Sequence, residues 1–190
     1  MVFLPTVVDI NRYLVIGSLS EDNVFHTGWI RSPSTAPYLN EIVGVLEQLG
    51  QEGRVQLTVI GGKAPAIENV DVMELPWSES AEVQQINEFD VGIMPLPQSE
   101  WSWGNCAFKL IQYMACGVPV VGSRIGANVD VVDQQSGFLA NSEEDWLVAF
   151  RTLRDDAELR LEMGSHAVDT LKRTICCRLM RRYLVTRLIA

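Results

Sequence analysis

The sequence predicts an α/β fold, a doubly wound parallel sheet of Rossmann-like type. Three observations predict it. Short apolar runs rich in Val and Ile alternate with longer segments of helical period, the pattern of a parallel sheet covered by helices on both faces. The run around Val118, Val120 and Val121 is continuously apolar, as an interior strand is. The chain has 190 residues, 47% hydrophobic and 21% charged, which suits one soluble globular domain with a single substantial core.

The elements follow in order. Residues 1–23 read as an entry segment. Strands are expected at Val24 to Ile30, Val55 to Ile60, Val70 to Leu75, Val91 to Met94, Val118 to Val121 and Phe138 to Ala140. Helices are expected at Ala36 to Leu49, Ser80 to Phe89, Cys106 to Cys116, Asn128 to Asp133, Glu143 to Arg154 and Ala157 to Lys172. Ser142 offers a hydroxyl cap, and Glu143, Glu144 and Asp145 favour the positive end of the helix they begin. Asp155 and Asp156 close that helix and open the next, whose Leu159, Leu161 and Met163 are expected to pack inward. Residues 174–190 carry a basic amphipathic pattern. No internal repeat, linker or domain boundary is visible, so residues 1–190 read as one domain. Right-handed crossovers place the strand C-termini on one edge, where open α/β sheets bind ligands.

The most informative stretch is GNCAFKLIQYMACGVPVVGS, Gly104 to Ser123. Its helical part carries an apolar stripe of Phe108, Leu110, Ile111, Met114 and Ala115. Gly117 suits a left-handed helix stop, and Pro119 forbids continuation. Lys109 and Gln112 are the polar exceptions near the front of the helix. A helix start bearing a cation beside strand ends is a natural place to hold an anion such as a diphosphate. After the first strand, Arg31, Ser32, Pro33, Ser34 and Thr35 form a hydroxyl-rich loop in which Ser34 or Thr35 can cap a helix and backbone N–H groups can face a phosphate. Trp77, after the third strand, reads either as core or as a stacking surface for a base, and Trp101 and Trp103 flank the loop before the main motif.

Net charge is −9, unevenly spread: the first 171 residues hold nine bases against twenty-four acids, and six bases follow from Lys172 to Arg187. A body this acidic argues against nucleic-acid binding. The basic tail reads as a helix docked on the acidic body, as a peripheral contact with anionic lipid at the inner membrane face, or as packing against a further domain. Cys106, Cys116, Cys176 and Cys177 show neither metal spacing nor a paired framework, and a reduced, cytoplasmic setting is the simplest expectation. The start MVFLPTVVDINRY lacks the features of a secretory signal, and no apolar run approaches the roughly 20 residues that cross a bilayer. His26 and His166 have no nucleophile or carboxylate in register for a triad. No metal motif or Walker-type loop occurs, so neither metal nor cofactor is expected.

MACGVPVVGS, Met114 to Ser123, resembles the donor-binding segment of family 4 glycosyltransferases with the GT-B fold. VFLPTVVDINRY, GWIRSPSTAPYL, LTVIGG, DVGIMPLP, GANVDVV, GFLA and the EEDW helix follow the family's order, so the resemblance covers residues 2 to about 170. It implies the second, nucleotide-sugar donor-binding half of a GT-B enzyme, with an N-terminal acceptor-binding domain absent from this chain. The implied activity is transfer of a glycosyl group, hexosyltransferase-like, from a nucleotide-diphosphate sugar, which is donor substrate rather than cofactor. Lys109 and Arg31 are then the groups expected to stabilise the leaving diphosphate. Ser32, Ser34, Thr35, Trp77, Gly104, Asn105, Phe108 and Gln112 are expected to line the donor site with Lys109. The family has a Glu, seven residues and a second Glu across this loop and helix. Gly104 and Gln112 stand in those places, so the sugar contact falls to backbone N–H groups of Gly104 and Asn105, and the ribose contact to an amide. The alternative is a non-catalytic nucleotide-sugar-binding or protein-interaction module. A receiver-like signalling domain would need an acidic cluster after the first strand, where Arg31 and Ser32 stand instead. An epimerase of similar architecture would need catalytic acids and a His that the sequence does not offer.

Overall fold

The structure is a computed structural model that describes residues 8, 12, 13, 15, 23–30, 33–103 and 106–174. Six strands form one parallel sheet: β1 (Phe25–Ile30), β2 (Val55–Ile60), β3 (Asp71–Leu75), β4 (Val91–Met94), β5 (Val120–Ser123) and β6 (Gly137–Ala140). Their spatial order is β3-β2-β1-β4-β5-β6. The chain therefore runs outward from β1 to one edge, returns beside β1 as β4, and runs outward again. The crevice between the C-terminal ends of β1 and β4 is the topological switch point, where such sheets bind ligands. This is the doubly wound α/β architecture that the alternation predicted.

The helices are α1 (Val43–Glu52), α2 (Glu82–Ile86), α3 (Glu100–Trp103), α4 (Phe108–Ala115), α5 (Asn128–Val131), α6 (Glu143–Asp155) and α7 (Ala157–Thr174). Neighbouring residues of each central strand feed opposite faces, as the two-residue period requires. Trp29, Val59, Ile93 and Val121 pack on the side of α1 and α6. Ile30, Ile60, Met94 and Val120 pack on the side of α4 and α7, where Val8 and Tyr13 of the entry segment also lie. Both faces of β4 and β5 are buried, which explains why those runs have no polar alternation.

Several boundaries differ from expectation for local reasons. The first helix opens as a 3-10 stretch, Ala36–Ile42, with Pro37 in its first turn. Helix α4 starts at Phe108 rather than Cys106, because Ala107 takes a left-handed φ of 54°. Strand β5 starts at Val120: Pro119 has no N–H to give the ladder, although its carbonyl accepts from Gly92 N at 3.0 Å. Helix α3 carries no periodic signal at four residues and was not expected. Leu161 is 44% exposed, whereas Met163 is buried and Leu159 half packed. Residues 159 and 163 share a helix face, and 161 falls on the opposite one.

The caps behave as their residue types dictate. Ser142 Oγ accepts from Asp145 N at 3.2 Å, and Asp145 Oδ2 accepts from Ser142 N at 3.1 Å, a complete capping box. Asp156 Oδ1 accepts from Leu159 N and opens α7. Gly117 ends α4 with φ 73°, and a Cβ at Gly164 of α7 would stand 2.0 Å from the Gly117 carbonyl oxygen. Glycine at 164 thus lets α7 lie against the end of α4. Among the described residues no helix is long and apolar enough to cross a membrane. The basic tail from Ile175 onward, and the entry segment apart from residues 8, 12, 13, 15 and 23, lie outside the described residues.

Candidate functional site

The crevice at the switch point is built around α4. Tyr113, fully buried, turns its hydroxyl to the ends of the two central strands: it accepts from Ile30 N at 2.9 Å and lies 3.4 Å from Ile93 O, to which it donates. Burial pushes this phenol up, with the Glu82 charge adding to the effect, so it stays a neutral donor. Its neighbours on the helix therefore face the loops that follow β1 and β3.

Lys109 is not a surface lysine. It is 9% exposed, and its Nζ donates to Thr35 Oγ1 at 3.2 Å. The ammonium also lies 5.3 Å from the centre of the Trp29 ring, within cation–π range. Thr35 sits in the loop after β1 and Lys109 on the helix after β4, so their contact spans the crevice between the two halves of the sheet. Thr35 occupies the N-cap of the 3-10 stretch but makes no capping bond with its side chain. Its hydroxyl oxygen accepts from Lys109 instead, and Pro37 has already removed one N–H from that first turn. Ser34 is exposed beside it, and Phe108 is half-buried against the core. The N-cap residue of helix α4, Ala107, has no side chain able to cap it.

Gln112 is fully buried. Its Nε2 donates to Glu82 Oε1 at 2.7 Å and to Tyr13 OH at 3.0 Å, while Oε1 is buried without a hydrogen-bond partner. Trp77 is not core. The residue is 44% exposed, and its Nε1 donates to Glu82 Oε2 at 2.6 Å. Trp101 and Trp103 on α3 are 62% and 65% exposed, and Trp101 meets the Tyr38 ring edge-on at 6.2 Å. An open cleft of about 850 Å³ lies over the ends of β1, β2 and β3, lined by Pro33, Ala36, Gly61, Gly62, Leu75 and Pro76 among others. It borders Thr35 and Trp77 through their chain neighbours but does not include Lys109 or Gln112. Arg31, Ser32, Gly104 and Asn105 lie outside the described residues.

The structure thus brings Lys109 and Thr35 together, and joins Gln112 to Trp77 through Glu82. Glu82 is the residue that sequence reasoning missed. Its signal was available: Glu82, Ile86 and Phe89 fall on one helical face, so a carboxylate stood on an apolar stripe. Cys116 lies behind the site, its thiol pushed up to about 12 by burial and then by the Glu82 charge, which keeps it unreactive.

A family model described as glycosyl transferases group 1 matches residues 21–156. The chain is 33% identical over 84 residues to D-inositol 3-phosphate glycosyltransferase of Corynebacterium kroppenstedtii, an alignment covering 43% of this chain and 18% of that protein. Among solved structures it resembles TarM (TM-score 0.73, 14% identity), covering 95% of this chain and 37% of that one. It resembles Anabaena HepE in complex with UDP and glucose (TM-score 0.70, 15% identity), covering 97% and 55%. The C-terminal domain of a group 1 glycosyl transferase protein, LpcC, from Francisella tularensis is matched over 97% of its length and 88% of this chain (TM-score 0.61, 13% identity). At these identities the structural likeness is one of fold. The chain spans about a fifth of the curated relative and between a third and just over half of TarM and HepE.

Proposed function

The chain belongs to the glycosyl transferases group 1 family, and from this premise we propose that it is the donor-binding half of a glycosyltransferase. It holds a nucleotide-diphosphate sugar at the C-terminal edge of the sheet and presents the glycosyl group, a hexosyl unit, to an acceptor held by a second domain. The observation that carries this reading is the Lys109 Nζ to Thr35 Oγ1 contact at 3.2 Å, which sets an ammonium across the switch point.

Negative charge grows on the diphosphate as the glycosidic bond breaks. A cation and backbone N–H groups already in place stabilise that charge without reorganising. Lys109 and the first amides of α4 serve this role, with Arg31, Ser32, Ser34 and Thr35 on the opposing loop. An arriving phosphate exchanges the neutral Thr35 contact of the ammonium for a stronger charge-assisted one. Phe108 walls the site, Gly104 and Asn105 approach the sugar with their backbone, and Trp77 offers its exposed ring to the base. HepE has been captured with UDP and with UDP-glucose, which makes uridine donors the first to try.

A second reading has two specific observations in its favour. Neither position 104 nor 112 carries a carboxylate, and Gln112 is enclosed. A protein that binds the donor without transferring the sugar accounts for both facts.

A thermal-shift panel of UDP, GDP, ADP and their sugars tests the donor site. Ligand at a hundred times its dissociation constant stabilises by about 2.7 kcal/mol. Wild type is expected to shift with one nucleotide class, and Lys109→Met to lose that shift. No shift with any nucleotide refutes the proposal. A shift without turnover, in the presence of a second domain and acceptor, selects the binding-only reading.

A further inference from the structure

Glu82 occupies a position that helix periodicity assigns to an apolar side chain, and it is fully buried. Burying a carboxylate is costly unless its oxygens are satisfied. Here they are held by groups from three separate stretches of chain. Oε1 accepts from Gln112 Nε2 at 2.7 Å and from Tyr13 OH at 3.0 Å, and Oε2 accepts from Trp77 Nε1 at 2.6 Å. Arg12 of the entry segment lies 3.6 Å from Oε1.

Two of these contacts bear on the donor. The Trp77 indole is tethered through its N–H while the residue stays 44% exposed, so the ring is displayed in one orientation instead of rotating. An immobilised aromatic face loses less entropy on stacking with a base. Gln112 stands three residues after Lys109, on the neighbouring turn of the same helix. The carboxylate accepts only, so it dictates which end of the amide faces it and directs Oε1 away. That oxygen is left buried without a hydrogen-bond partner, which leaves the amide orientation fixed by Glu82 alone.

We propose that Glu82 is a positioning residue of the donor site, one carboxylate that locks the Trp77 ring and helix α4 together so that base platform and diphosphate cation keep a fixed relation. The ligand it serves is a nucleoside diphosphate, bound through base, ribose and phosphates at once. This deepens the donor-site reading and rests on it.

Binding calorimetry on the full chain separates the two ideas, with UDP (or GDP or ADP where the thermal panel selects them) and inorganic pyrophosphate as separate probes. Wild type is expected to bind both. In Glu82→Gln one of the two acceptor oxygens becomes an NH2 group, so Gln112 and Trp77 can no longer both donate to this side chain. The variant is expected to weaken the nucleotide about tenfold or more, the worth of one such contact, while pyrophosphate, which needs only the Lys109 side, keeps its affinity. The exchange Glu82→Gln with Gln112→Glu faces an amide and a carboxylate again and is expected to recover most of the loss. Trp77→Phe keeps a ring without the N–H and leaves the carboxylate intact. It is expected to weaken the nucleotide severalfold and leave pyrophosphate alone, and it tests the same tether if Glu82→Gln does not fold. Nucleotide affinity unchanged in these variants, or nucleotide and pyrophosphate weakened in parallel, overturns the positioning role. Wild type binding neither probe refutes the donor site itself, and the positioning role falls with it.

Discussion

The two ends of the sheet use buried charge in opposite ways. At the N-terminal end, ions meet ions. Asp90 accepts from Arg160 Nε at 3.1 Å and from the His26 backbone N–H at 2.9 Å, with both side chains nearly buried. Arg160 also donates to the carbonyls of Leu153 and Arg154, so one guanidinium joins the end of α6 to the start of β4. Glu52, at the end of α1, is gripped by Arg151 and Arg154 of α6. At the C-terminal end, the described contacts of the charged groups are mostly neutral. Lys109 rests on a hydroxyl and an aromatic ring, and Glu82 on a phenol, an amide and an indole, with its one guanidinium farther off. A charge matched by an opposite charge at hydrogen-bonding distance has little left to offer a ligand. The hydroxyl and the ring beside Lys109 are partners that an anionic group of a ligand can replace or supplement. On the proposed reading, the first end serves the fold and the second binds the donor.

The largest effect that this contrast implies is at Arg160. Arg160→Ala strands the Asp90 carboxylate in a buried site, and chemical denaturation is expected to show about 3–5 kcal/mol lost. Nucleotide affinity of the remaining folded protein should hold, since Asp90 lies at the far end of the strands. A loss of under 1 kcal/mol, or weakened nucleotide binding at unchanged stability, breaks the contrast. Lys109→Met reverses the pattern. The apolar stem keeps its packing while the buried cation disappears, so unliganded stability is expected to stay within about 1 kcal/mol of wild type or to rise. The same variant should lose the nucleotide-dependent shift. If it unfolds the protein instead, Lys109 belongs with Arg160 as a structural ion.

What the sequence made legible follows the range of the forces involved. Strands β4 and β5, the stop at Gly117 and the cap at Ser142 are dictated within a few residues, and the apolar runs show them plainly. The place of Lys109 on a helix was equally plain. Its burial was not, because Thr35 lies 74 residues away and Trp29 on another strand. Gln112 could be read as a ribose contact by its place in the motif. Only the fold shows that Glu82, thirty residues upstream, and Tyr13 claim its amide nitrogen. Trp77 read more readily as core than as platform, since the tie that holds its ring at the surface is made by a carboxylate on an apparently apolar face. Periodicity places side chains on faces, and it says nothing about which polar atoms meet across them.

The smallest effect tests the N-terminal end from its surface. The Arg151 guanidinium hydrogen-bonded to Glu52, helped by Arg154, holds that carboxyl at about 2, below its usual 4.5. A carboxyl with a depressed folded-state value contributes stability that is fully present above 4.5 and is lost as the pH falls from 4.5 towards 2. The melting temperature should therefore drop across that window, and Glu52→Gln should flatten part of the drop by lowering the neutral-pH value, since a protonated Glu52 and a Gln are alike at low pH. The neutral-pH effect stays small because the side chains are partly solvated, and ion pairs of that kind are worth about 0–1 kcal/mol. Thermal melts of both proteins from pH 7 to pH 2 decide it. Parallel curves would mean that the Arg151–Glu52–Arg154 contacts contribute nothing measurable, leaving Asp90 and Arg160 as the charge pair that holds this end of the sheet.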